Sequence, residues 1–212
     1  MTALFNSHLL SFAIWLPILG ALLVLFVGSN QRALARLLAL VVAIAAFAVT
    51  VPLWTRFDTT SPAMQFVEQM RWIPAFNVQY FLGVDGIAMP FMLLNSFITI
   101  IVVLAGWRVI EEKQAQYMGA FLIMSGLMNG IFCALDGVLF YVFFEASLIP
   151  MYLIIGIWGG PNRVYAAIKF FLYTFMGSLL LLVAFIYLFA HSGTFNVLDW
   201  HQLQIPSEIQ NY

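Results

Sequence analysis

Leu9-Leu-Ser-Phe-Ala-Ile-Trp-Leu-Pro-Ile-Leu-Gly-Ala-Leu-Leu-Val-Leu-Phe-Val-Gly28 runs without a single charge. A helix needs about 20 such residues, at about 1.5 Å each, to cross the ~30 Å hydrocarbon core of a bilayer. Five more apolar runs of similar length follow, at about 33–54, 86–107, 116–135, 138–158 and 164–190. The last is overlong, so it either tilts or stops near His191-Ser192-Gly193. Across all 212 residues, 64% are hydrophobic and the mean hydropathy is +1.00. Only 8% are charged, against about 25% in an average soluble domain. Too few polar side chains exist to clothe a soluble globule. The sequence therefore reads as an all-α polytopic membrane protein of about six transmembrane helices.

The organisation follows from what lies between the runs. Residues 1–54 hold two leading transmembrane helices, split by the polar turn Gly28-Ser29-Asn30-Gln31-Arg32. The first run is long enough to span and no basic segment precedes it, so a cleaved signal peptide is not expected. Residues 55–85 carry Arg56, Asp58, Glu68 and Arg71, two prolines (Pro62, Pro74), and Trp72, Phe76, Tyr80 and Phe81. Such aromatics suit the headgroup layer, and this segment reads as an interfacial loop. It closes with Gly83-Val84-Asp85-Gly86, where Asp85 is positioned to cap the next helix. Residues 86–190 hold four transmembrane helices, and Asp136-Gly137 repeats the capping device within them. Residues 191–212 form a second interfacial loop with Trp200 and Tyr212; a chain ending in such a loop is expected to be truncated there. Arg32, Arg36, Arg108, Lys113 and Arg163 fall on one side, Arg56 and Arg71 on the other. The basic side is expected to face inward, with both chain ends outside.

Several chemistries are excluded or unsupported. The net charge is −1 and no basic tract occurs, so no nucleic acid partner is expected. Cys133 is the only cysteine, which leaves no disulfide framework and no cysteine-based cluster. His8, His191 and His201 lie near span ends, where they cannot ligate an intramembrane haem. No HExxH, GxSxG or phosphate-loop pattern occurs. No cofactor and no metal is expected in this chain.

Two charges inside apolar runs carry the functional reading, because a charge in hydrocarbon costs at least about 2.5–3.5 kcal/mol. Glu145 lies in Val138-Leu-Phe-Tyr-Val-Phe-Phe-Glu145-Ala-Ser-Leu-Ile-Pro150, about 10 Å below the outer end of its span. A bland reading is a protonated side chain bonded to a neighbouring helix. The functional reading is a proton-channel carboxylate facing a hydrated interior. Pro150 removes a backbone donor near Ala146 and is a candidate helix kink, though proline is ordinary in membrane helices. Lys169 lies about 8 Å from the inner face, where it could simply snorkel. Alternatively it is a relay on a stripe of Tyr165, Lys169, Tyr173 and Gly177 that lines a wet path. Ser125 and Asn129 also share a face, beside the close-approach spacing Gly126-x-x-x-Gly130. They serve packing, or line the path. The rise arithmetic separates Glu145 and Lys169 by roughly 12 Å in depth, so they are not expected to pair directly.

Phe143-Phe144-Glu145-Ala-Ser-Leu-Ile-Pro150-Met151-Tyr152-Leu-Ile-Ile-Gly-Ile-Trp158-Gly159 resembles the fifth-helix signature of the antiporter-like subunits of respiratory complex I. Arg163-Val-Tyr-Ala-Ala-Ile-Lys169-Phe170-Phe171-Leu172-Tyr173-Thr174 resembles the segment after it, and Gly83-Val84-Asp85-Gly86 the third-helix entry. Trp72-Ile-Pro74 favours the M-type branch of the group. The resemblance implies a partial antiporter-like fold, since full members are more than twice this long. It makes the glutamate at Glu145 a key proton-channel residue, working with a lysine beyond the last span seen here. It implies a bacterial inner membrane, or the mitochondrial one in a eukaryote. Other membrane-arm subunits and lipid are the expected partners. FMN, iron–sulfur clusters and quinone are expected in other subunits of the complex. The same helix signature occurs in multisubunit cation/proton antiporters, which have no redox partner. A non-pumping structural role is the third reading.

Overall fold

Each apolar run forms one helix, and the bounds follow the sequence to within a few residues. The computed structural model describes residues 8–28 and 31–203. The helices are α1 (Leu9–Val27), α2 (Arg32–Thr55), α3 (Ala88–Val109), α4 (Gln114–Cys133), α5 (Gly137–Trp158) and α6 (Arg163–Ser192). A short α7 (Val197–Trp200) follows. All six long helices are apolar enough to cross a membrane, and the protein is an integral membrane protein. α6 has 30 residues, about 45 Å of helix. It stops at the expected place, because Gly193 takes the left-handed conformation (φ 72°) that ends helices cheaply. Ser29, Asn30 and the tail beyond residue 203, with Tyr212, lie outside the described residues.

Residues 55–85 are more than a loop. They contain a β-hairpin of β1 (Gln65–Ile73) and β2 (Val78–Val84), joined by a 3₁₀ turn over Pro74–Phe76 with Asn77 at φ 53°. The strands pair antiparallel from Gln65↔Val84 to Ile73↔Val78, with bulges between Gln65 and Glu68 and between Arg71 and Ile73. β2 is the inner strand, with Val78, Phe81, Leu82 and Val84 buried. Phe81 is thus a core residue and not a headgroup aromatic, whereas Trp72 and Phe76 are exposed. β2 lies on the α4–α5 turn: Leu135 N donates to Phe81 O at 2.8 Å. The far edge of that turn meets the chain after α6, where Val197 N donates to Leu135 O at 2.9 Å and Gly137 N to Phe195 O at 2.8 Å. Trp200 packs against Gly137, so a methyl group there would collide with its ring. The hairpin, the α4–α5 turn and the chain after α6 therefore gather at one end. At the other, Trp158 Nε1 donates to Glu112 O at 3.0 Å, joining the α5 end to the α3–α4 turn.

Glu68 ties the hairpin to α1. It is the one buried residue of β1, at 6% exposure, on a strand otherwise exposed or half-buried. Its carboxylate accepts from Leu10 N at 2.7 Å, from Ser11 N at 3.2 Å and from the Ser11 hydroxyl. These amides belong to the first turn of α1, which has no capping side chain of its own. A carboxylate there satisfies free N–H groups and meets the positive end of the helix dipole. Asp136 does the same locally for α5, accepting from Val138 N at 2.9 Å and Leu139 N at 3.1 Å, and reaches Gln79 N of β2 at 3.0 Å. Burial pushes its carboxyl above the ordinary range, and these three amides pull it back. Asp85 accepts from Ile87 N and Ala88 N at 3.0 and 2.6 Å, at the entry to α3.

The two glycines of α4 serve different neighbours. A Cβ on Gly126 would lie 2.5 Å from Ile14 O of α1, and one on Gly130 would lie 2.7 Å from the Phe143 ring of α5. Gly126→Ala is therefore expected to cost about 1–3 kcal/mol, since backbone cannot yield as a side-chain tip can. Gly160→Ala, where nothing lies within 4 Å, is the control. Thermal unfolding in detergent compares the two; equal midpoints would contradict the close α1–α4 approach.

Candidate functional site

Tyr141, Glu145, Leu148 and Tyr152 recur every three or four residues along α5 and share one face. That face looks at α6. The Tyr152 ring meets Phe171 edge-on at 5.8 Å, and Phe140 meets Phe185 at 6.2 Å. A Cβ on Gly156 would stand 3.6 Å from that of Ala167. In this antiparallel register Glu145 stands level with the region of Ser178. By that register Tyr141, Glu145 and Ser178 fall along one stretch of the α5–α6 seam. Ser178 is buried and donates its own proton to Phe175 O at 2.8 Å.

Glu145 is half-buried, and its Oε1 is buried with no hydrogen-bond partner. Among the described residues it makes no ion pair. Beside it stands a phenol, which both donates and accepts. The arrangement is a carboxyl with one unpartnered buried oxygen, on the α5 face that meets α6. Pro150 lies buried in α5, which continues to Trp158; its missing N–H leaves the carbonyl of Ala146, the residue next to Glu145, without that donor.

Lys169 is not brought to Glu145. The same register sets it level with about Ile154, roughly 14 Å along the helix axis. Its stripe lies on the face of α6 turned away from α5, with Tyr165 at 69% and Tyr173 at 82% exposure. The Lys169 ammonium sits 5.8 Å over the Tyr165 ring. Ser125 and Asn129 go elsewhere again. Asn95 Nδ2 donates to Asn129 Oδ1 at 2.8 Å and to Ser125 O at 2.9 Å, and Thr99 Oγ1 donates to Ser125 Oγ at 2.9 Å. Asn129 Nδ2 donates to Ala13 O at 3.0 Å. This network joins α4 to α3 and α1, and Asn129 has found partners for both ends of its amide. None of its bonds reaches Glu145.

Sequence reading passed over Tyr141 and Ser178. Tyr141 was findable, because it stands four residues before Glu145 and so on the same face. Ser178 was not, because only packing shows which side of α6 meets α5.

Residues 134–211 match the family described as NADH:quinone oxidoreductase/Mrp antiporter, transmembrane. Over 204 residues the chain is 45% identical to NADH-quinone oxidoreductase subunit M of Rhodobacter capsulatus, covering 94% of this chain and 39% of the relative. The chain belongs to this NADH:quinone oxidoreductase/Mrp antiporter membrane family. A second member, NADH-ubiquinone oxidoreductase chain 4 of Arabidopsis thaliana, is 42% identical over 87% of this chain and 38% of its own length. The chain thus spans about two fifths of the curated relatives it matches. Among solved structures, respiratory complex I from Thermus thermophilus with bound NADH superposes with a TM-score of 0.77 at 30% identity, over 94% of this chain and 40% of that one. The Mrp complex from Dietzia sp. shares the fold, with a TM-score of 0.72 at 22% identity, over 90% of this chain and 20% of that one.

Proposed function

We propose that this chain forms part of a membrane-arm subunit of an NADH–quinone oxidoreductase, where it carries protons across the bilayer. One observation carries the reading: Glu145, inside a spanning helix, holds a buried carboxyl oxygen with no partner. An intramembrane ionisable group is expensive, about 2.5–3.5 kcal/mol at least, and marks a pathway by default. Electron transfer from NADH to quinone takes place in other subunits, which hold the FMN, iron–sulfur clusters and quinone. The redox energy is transmitted to Glu145, because moving one proton against 100 mV needs about 2.3 kcal/mol. Lys169, with Tyr165 and Tyr173, is a candidate relay along the open face of α6, where further helices of the subunit would close the path. Ser125 and Asn129 secure the helices behind it, and Pro150 supplies a bend. A bacterial inner membrane or its mitochondrial counterpart is the setting, with other membrane-arm subunits and lipid as partners.

The shared fold with an Mrp complex favours a second reading, a cation/proton antiporter subunit without redox partners. Purification of the tagged protein from native membranes in mild detergent separates the two. Flavin, iron–sulfur subunits and NADH–quinone activity are expected in the same fraction. Recovery with membrane subunits alone, and no NADH oxidation, would replace the oxidoreductase reading with the antiporter.

A further inference from the structure

A groove runs between α2 and α3 at the basic end of the bundle. Leu40 of α2 and Leu104, Ala105, Trp107 and Arg108 of α3 line it, and its volume is about 500 Å³. The two helices run antiparallel, with the Phe47 and Phe97 rings 5.8 Å apart and Leu40 across from Leu104. One more turn of that register sets Arg36 level with Arg108. Arg36 lies one turn into α2, and Arg108 lies in the last turn of α3. Both guanidiniums are therefore within reach of the headgroup layer. Arg36 Nε is buried and has no hydrogen-bond partner. A buried donor of this kind calls for an acceptor. No side chain at this end supplies one: among the described residues Glu111 and Glu112 make no ion pair, and the buried Gln114 Oε1 is itself without a partner.

We propose that this groove binds one anionic phospholipid, with its phosphate on Arg36 and Arg108 and an acyl chain along Leu40 and Leu104. A guanidinium suits a phosphate because it is planar, always charged and donates its N–H groups in pairs. Basic pockets between membrane helices are a recurrent seat of anionic headgroups. The apolar wall continues towards the bilayer centre through Ile44 and Ile101, each 49% exposed, so a hydrocarbon chain has a track to follow. Trp107 stands half-buried between the charged rim and that track, the level an indole prefers. Rim and track together select an amphiphile. A soluble anion would use the arginines and leave the leucines uncovered. An irregular protein segment would bring unsatisfied backbone against them. The site does not depend on the role of Glu145, which lies on α5.

Photocrosslinking tests this on the full-length protein, purified with its accompanying subunits and placed in phosphatidylcholine vesicles. The probes are phosphatidylglycerol and phosphatidylcholine, each with a diazirine on one acyl chain, and the labelled peptides are mapped by mass spectrometry. The phosphatidylglycerol probe is expected to label the segments around Leu40 and Leu104 at least about fivefold more than the phosphatidylcholine probe at equal mole fraction. Arg36→Gln and Arg108→Gln are each expected to lower that labelling about fivefold, the effect of one basic side chain near a lipid surface. Arg163→Gln removes the same charge from the same side, at the start of α6, and is expected to leave the labelling unchanged. If a variant fails to assemble, the comparison of the two probes on the unaltered protein decides by itself. Equal labelling by both probes overturns the proposal, because the groove then takes any lipid. A loss as large in Arg163→Gln as in Arg36→Gln overturns it in favour of diffuse surface attraction. No label on either segment means that protein covers the groove, which overturns it as well.

Discussion

Glu145→Gln in the assembled complex is expected to lower coupled proton translocation at least about tenfold, the smaller end of what a positioned acid–base group contributes. The substitution keeps volume and shape but removes the ability to hold and release a proton near neutral pH. Assembly should survive, because Oε1 has no hydrogen bond to lose. The measurement is proton uptake in sealed vesicles during NADH oxidation, read beside the uncoupled electron-transfer rate of the same preparation. Unchanged uptake per NADH would remove Glu145 from the pathway. A collapse of both rates together with loss of assembly would mean that its role is structural.

The second large effect concerns stability. Glu68→Ala is expected to cost about 2–3 kcal/mol, because it strips the first turn of α1 of its acceptor and frees the hairpin. Glu68 receives two backbone amides and the Ser11 hydroxyl, and it is almost fully buried. Ser11 Oγ and the Trp15 indole also meet the Tyr80 hydroxyl, at 3.0 and 3.2 Å, so the loss spreads along β2. Glu68→Gln keeps an acceptor oxygen and should recover part of the loss. Thermal unfolding gives the energy, and limited proteolysis of residues 55–85 reports the hairpin. If Glu68→Ala unfolds at the temperature of the unaltered protein, the clamp is incidental.

Much of the architecture was legible because the bilayer permits few alternatives. Asp85 and Asp136 were readable as caps because each serves amides two or three residues ahead. The hairpin was hidden for a physical reason. β1 turns Val67, Met70 and Trp72 outward and buries the acid Glu68, the reverse of a soluble strand. Its partner lies 57–58 residues away in the chain, beyond any local pattern. Glu145 was legible as a misplaced charge. Its neighbours were not: the polar stripe that stood out, Tyr165, Lys169 and Tyr173, faces away from α5, while the inconspicuous Ser178 is one of the few buried residues of α6.

The sequence by itself determined how many long apolar helices the described residues form, nearly where each begins and ends, and which carboxyl lies well inside a span. Hydrocarbon leaves a spanning chain no way to satisfy its backbone except within a helix, so length and hydropathy suffice for that. Only the tertiary structure decided the rotation of each helix, and with it the company Glu145 keeps. A helix apolar on every side has no amphipathic stripe to point it. Its facing is settled by close packing instead, at Gly126 on Ile14, Gly130 on Phe143 and Gly156 beside Ala167.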